Sequence, residues 1–191
     1  MVTGAHSESV PNTFMAVSVD TPDSPYPQTV NGIPAKDPGF GVHSPFKQPA
    51  GARLARAGLA LLESELVDTA GPMVADVQKS QEGHTGATMI TISITGEGQG
   101  ILPLRSTKGF EVLSTVGVWY SVAATVTGKS TLTISSPHVE AATALRYNWY
   151  SNPCGIFPFG CAVYVGVKPL HPDLSGEKDF LPLPPFWAEL E

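Results

Sequence analysis

The sequence predicts an α+β protein: a strand, loop and helix of the α/β kind, followed by an antiparallel β-sandwich. The first sign is an apolar run, "NTFMAVSVD" (residues 12–20), separated by a Pro/Gly-rich stretch from "PAGARLARAGLALLESEL" (residues 49–66), whose leucines recur at helical spacing. The second is the change of texture at Gly71-Pro72, after which short runs alternate apolar and polar residues between turn signals. The third is bulk composition: 191 residues with 42% hydrophobic and 15% charged can bury a core and match neither a disordered tail nor a solvated helical array. The division falls at residues 1–70 and 71–191.

Taken in order, Phe14 to Val19 is apolar on both faces, as a strand buried on both sides of a parallel sheet reads. The stretch after it, "TPDSPYPQTVNGIPAKDPGFGVHSP", is interrupted by proline too often to be anything but a long loop. Helix formers then dominate from about Pro49, with Leu54, Leu61, Leu62 and Leu66 near one face, while Gly51 and Gly58 make the helix depend on packing. A strand, loop and helix cannot cover a parallel sheet by themselves.

Downstream, "ATMITISIT" (residues 87–95) sets Ile90, Ile92 and Ile94 on one face and Met89 on the other, a half-buried strand. "VGVWYSVAATV" (residues 116–126) and "STLTISS" (residues 130–136) read as strands joined at "TGK", and "TALRYNWY" (residues 143–150) as another. Val74 to Lys79 is a weaker strand. The closing "LPLPPFWAELE" reads as an extended polyproline tail that docks with Phe186 and Trp187. "TGEGQG" lacks the following helix and lysine of a phosphate-binding loop and reads as a turn.

With 11 basic and 17 acidic residues, the net charge of −6 opposes general affinity for nucleic acid or anionic membranes. No apolar stretch approaches the roughly 20 residues a bilayer-spanning helix needs, and the first residues lack the pattern of an export signal. Cys154 and Cys161, with the six residues "GIFPFG" between them, suit a small disulfide-closed loop or two free thiols. They are not spaced as a metal knuckle. No cofactor is expected.

The pieces resemble the C-terminal part of the sialate O-acetylesterase family. "VPNTFMAVSVD" (residues 10–20) is similar to the strand that precedes that family's histidine motif. Here the motif reads "GVH", then Lys47-Gln48, then Arg53-Leu54-Ala55. "ALRYNWYSNPC" (residues 144–154) looks like the family's "RYAW..NP" strand, and "LPLPPF" (residues 181–186) like its closing "LPAPPF". The matches run in the family's order.

The resemblance implies a C-terminal remnant of a flavodoxin-like SGNH-type serine hydrolase domain with an accessory sandwich, acting on O-acetylated sialic acids or related sugars. It implies His43 as general base and Asp37 as its orienting acid, with Asp23 and Asp20 as the other carboxylates in reach. It also implies a lysosomal or secreted protein, consistent with a Cys154–Cys161 bridge. A serine ester hydrolase needs a base in hydrogen-bond reach of the hydroxyl and a carboxylate that fixes the imidazole tautomer.

Two features depart from the family. Ser44 follows the histidine where the family has proline, and the loop from Thr21 to Gly41 is longer. The nucleophilic serine lies far upstream in the family, and Ser7 and Ser9 have no strand before them or helix after them. The expectation is therefore a fragment that needs the missing N-terminal part of the catalytic domain and is inactive alone, or else a non-catalytic sugar-binding or structural module. His6, His84, His138 and His171 read as surface or turn residues. Lys47 and Arg53 read as exposed on the helix before any role in binding a sugar carboxylate. Tyr147, Trp149 and Trp119 could stack on pyranose faces, but alternating positions on a strand favour Tyr147 and Trp149 as core.

Overall fold

The computed structural model describes residues 2–4, 15–22, 29–30, 33–34, 44, 46–62, 71–81, 87–95, 100–150, 153–155, 159–167 and 180–191. Among them one helix, α1 (Lys47–Leu62), accompanies thirteen short strands. These are β1 (Val2–Gly4), β2 (Thr29–Val30), β3 (Ile33–Pro34), β4 (Met73–Gln81), β5 (Thr88–Thr95), β6 (Phe110–Ser114), β7 (Trp119–Val122), β8 (Ala124–Gly128), β9 (Thr131–Ser135), β10 (Ala142–Tyr147), β11 (Tyr164–Gly166), β12 (Phe180–Pro182) and β13 (Phe186–Glu189).

Two antiparallel sheets form the body: a five-stranded one in the order β1-β13-β10-β6-β7 and a four-stranded one in the order β4-β5-β9-β8. Their facing sides make one core. Ile90, Ile92 and Ile94 of β5 and Leu132 and Ile134 of β9 meet Phe110 and Val112 of β6, Leu145 and Tyr147 of β10 and Phe186 of β13. Each such side chain, fully buried, contributes roughly 1.5–3 kcal/mol by the apolar area it removes from water. The alternation on β5 has the predicted sense, with the isoleucines buried and the intervening Thr91 and Ser93 only partly so. The chain is mostly antiparallel β-structure with a single described helix, which supports the sandwich half of the sequence reading.

Several boundaries move for physical reasons. The run read as one strand over residues 116–126 is divided: Gly117, at φ +81°, turns β6 back into β7, and the chain breaks at Ala123 to pass from one sheet to the other as β8. The C-terminal stretch forms strands as well as extended chain, because β13 finds partners on both edges, pairing Ala188 with Val2 and with Leu145. Residues 15–20 belong to no sheet. They run as irregular chain into a turn at Val19–Asp20, where the sequence predicted a strand, since no parallel neighbour flanks them among the described residues.

Helix α1 spans Lys47–Leu62 with Pro49 in its first turn, where a missing N–H costs nothing. Its packing inverts the expectation. Leu54 and Leu62 are exposed at 55% and 83%, whereas Arg53, Arg56 and Ala57 are buried. Leu61 and Leu66 of the predicted face lie outside the residues whose side chains are described. Contacts also cross the division at residue 70: β1 joins the five-stranded sheet, and Asp20 reaches Tyr164 of β11. Among the described residues, no helix is long and apolar enough to cross a membrane.

Candidate functional site

The turn that ends the N-terminal apolar run delivers Asp20 into a fully buried position. A buried carboxylate must be paired and hydrogen-bonded, and Asp20 is met by cationic and hydroxyl donors. Arg53 of α1 donates to both of its oxygens, Nη1 to Oδ1 at 2.6 Å and Nη2 to Oδ2 at 2.7 Å. This is the two-pronged geometry at which the planar guanidinium is strongest. The Tyr164 hydroxyl donates to Oδ2 at 3.1 Å and itself accepts the Cys161 N–H at 3.3 Å.

The backbone completes the junction. The Asp20 carbonyl accepts the Phe159 N–H at 2.8 Å, and Arg53 Nη1 also donates to the Val17 carbonyl at 2.6 Å. Thr21 closes the turn by donating its hydroxyl to the Ser18 carbonyl at 2.8 Å. Burial, reinforced by the neighbouring Asp20 charge, pushes the Tyr164 hydroxyl well above the usual phenol range, so it remains a donor. Arg105 lies over the rings of Phe180 and Tyr164, 4.1 and 4.8 Å from their centroids, and covers this side.

Cys154 and Cys161 are joined as a disulfide with their Cα atoms 4.2 Å apart. The loop it closes rests on two residues in the left-handed region, Asn148 at φ 50° and Phe159 at φ 60°. Asn148 is buried, donates its backbone N–H to the Gly109 carbonyl and its side-chain Nδ2 to Cys154 Sγ, and so fixes the start of the loop. Gly109 must be glycine: a Cβ there would lie 2.6 Å from Asn148 Oδ1, at φ +112°.

Of the predicted site residues, His43, Asp37 and Asp23 lie outside the described residues. Ser44, next to His43 in sequence, accepts the Phe46 N–H on its hydroxyl at 3.2 Å, just before α1 begins. Asp20, the remaining carboxylate considered for His43, is occupied by Arg53 and Tyr164. Arg53 corrects the expectation of an exposed helix cation, because its charge is spent on Asp20 inside the protein. Lys47 is exposed.

Tyr147 is core. Its hydroxyl accepts the Val163 N–H at 3.1 Å, and burial drives its ionisation far upward. Trp149 is 49% exposed, so the strand reading that put it in the core fails one residue beyond the left-handed Asn148. Trp119 is partly covered by Arg146, whose guanidinium carbon is 3.9 Å from the ring centroid and whose Nε bonds Glu111 at 2.8 Å. Among the described residues no three His, Cys, Asp or Glu side chains cluster as metal ligands. The Asp20–Arg53–Tyr164 junction had no sequence signal beyond an acid ending an apolar run.

No protein-family model and no curated protein matches the chain. Among solved structures, the crystal structure of XAC1771, a novel carbohydrate acetylesterase from Xanthomonas citri, is similar to it at a TM-score of 0.56 and 19% sequence identity. The likeness covers 76% of this chain and 29% of that one, so this chain spans less than a third of that protein's length. What the two share at this identity is a fold.

Proposed function

We propose that these residues are the histidine-bearing C-terminal portion of a carbohydrate O-acetylesterase of the sialate O-acetylesterase type. The observation that carries this reading is the fold shared over 76% of the chain with part of a carbohydrate acetylesterase. The order of the motifs from Val10 to Phe186 supports it. On this reading the residues before 71 complete a flavodoxin-like SGNH esterase domain, and those from 71 to 191 form its accessory sandwich, with β1 joining the latter.

The chemistry follows from the residue types. His43 takes the proton of a serine hydroxyl as that oxygen attacks the acetyl carbonyl, and Asp37 holds the imidazole tautomer and stabilises the imidazolium. The tetrahedral oxyanion collapses, the sugar alcohol leaves with the proton from His43, and water then releases acetate from the acyl-serine by the same base. The serine comes from a segment that precedes these residues, and without it the 191 residues turn over no acetyl ester. The Cys154–Cys161 bridge supports an oxidising compartment, lysosomal or secreted.

A second reading, a non-catalytic sugar-binding module, is favoured by one observation: Trp149 and Tyr150 stand 49% and 42% exposed beside the buried Asn148. One experiment separates the two. The full-length product of the coding frame is assayed on p-nitrophenyl acetate and an O-acetylated sialic acid, as wild type and as His43→Ala. The esterase reading expects turnover that His43→Ala lowers by about 10²–10⁴. Absence of turnover, with calorimetric sugar binding that Trp149→Ala abolishes, would establish the module instead.

A further inference from the structure

We infer that Tyr164 and the Cys154–Cys161 disulfide are positioning residues for helix α1, acting through Asp20. The connection is continuous. The disulfide closes the loop that holds Phe159 and Cys161, whose N–H groups point at the Asp20 carbonyl and the Tyr164 hydroxyl, and that hydroxyl donates to the carboxylate gripping Arg53 of α1. Phe159 is held in its left-handed conformation from outside the loop as well, by Arg105 Nη1 donating to its carbonyl at 3.3 Å and by an edge-on contact with Phe180.

Among the described residues, α1 is fixed by buried polar groups, Arg53 and Arg56, more than by apolar area. Ala57 is its one buried apolar residue among those described, Leu54 and Leu62 face solvent, and the sandwich core contains no residue of α1 or of the 15–22 segment. An element docked by polar groups instead of apolar area depends on the geometry of those groups, since a buried charge pair holds only while its hydrogen bonds are in place. Loosening the disulfide loop therefore displaces α1 while the sandwich remains folded. The functional side of the inference rests on the esterase reading: α1 begins four residues after His43 in sequence, so a displaced helix carries away the base.

The test is hydrogen exchange on the 191-residue chain as wild type, Tyr164→Phe and Cys154→Ala/Cys161→Ala. Amides of α1 are expected to exchange at least about tenfold faster in both variants, with β5 and β9 unchanged. Unchanged α1 amides, or an equal acceleration in β5 and β9, would overturn the inference. In the full-length product, Tyr164→Phe is expected to lower kcat per titrated serine by about five- to tenfold and leave KM within about twofold. Faster helix exchange without wild-type turnover supports the positioning role and counts against the esterase reading alone. Turnover with an unmoved kcat overturns the functional side of the inference.

Discussion

Asp20 and Arg53 face each other through two hydrogen bonds of 2.6 and 2.7 Å, with side-chain exposures of 0% and 6%. Breaking such a pair leaves a charge in a place water does not reach. Asp20→Asn is therefore expected to destabilise the junction by about 3–5 kcal/mol, the cost of an uncompensated buried guanidinium. The double variant Asp20→Asn/Arg53→Met should recover part of that loss. Urea unfolding followed at α1 measures both, and a double variant no more stable than the single one would contradict the account.

Gly109 and Gly117 share a positive φ but differ in surroundings. An added Cβ at Gly117 meets nothing within 4 Å, whereas at Gly109 it meets Asn148 Oδ1 at 2.6 Å and the Tyr147 ring at 3.0 Å. Gly117→Ala should cost about 1–2 kcal/mol, the backbone term alone. Gly109→Ala should cost more, roughly 2–4 kcal/mol, because the Asn148 turn must also shift. Thermal melts of the two variants give the ordering directly.

Burial raises the ionisation of both Tyr147 and Tyr164 above the free phenol value of 10.0. Their contribution to stability is complete below pH 10, where folded and unfolded tyrosine are both neutral, and is lost as pH rises above it because the unfolded chain ionises first. Each buried tyrosine steepens the decline by at most about 1.4 kcal/mol per pH unit. Tyr147→Phe should flatten the stability profile above pH 10, at a cost of about 1–3 kcal/mol at neutral pH for the orphaned Val163 N–H.

Ile92→Ala removes a fully buried side chain facing the five-stranded sheet and should cost about 2–5 kcal/mol. Leu62→Ala, at 83% exposure on the last turn of α1, should stay within about 0.5 kcal/mol. Denaturant midpoints at constant slope provide the comparison.

What could be read in advance divides along physical lines. β5 was legible because one side of it faces the core and the other does not, so the alternation of Ile90, Ile92 and Ile94 is visible within eight residues. Helix α1 was legible from propensity: it begins at Lys47, two residues before Pro49, and residues 63–66 of the expected helix lie outside the described residues. Residues 15–20 were misread as a strand because an apolar run reports burial, not a hydrogen-bonding partner. β13 was hidden in a proline-rich tail because its strand character comes from β1 and β10 on either side.

Arg53 was misread for a related reason. A cation on a helix is ordinarily solvated, and only Asp20, far back in the chain, and Tyr164, far ahead, turn it inward. The same separation hides the junction from any local pattern. The family resemblance, by contrast, rests on short ordered motifs, and what the chain shares with XAC1771 at 19% identity is a fold.

The pairing of β13 between β1 and β10 sets an order on synthesis. Phe186 to Glu189 form an interior strand of the five-stranded sheet although they leave the ribosome later than nearly everything they touch. Until they arrive, β10 presents a bare edge, the template on which nascent chains join one another. β1, synthesised well before β13, has no strand to pair with until then. A stop codon before Phe186 would thus remove the middle of a sheet rather than fray its margin, and the truncated product should aggregate during translation instead of folding with a missing end.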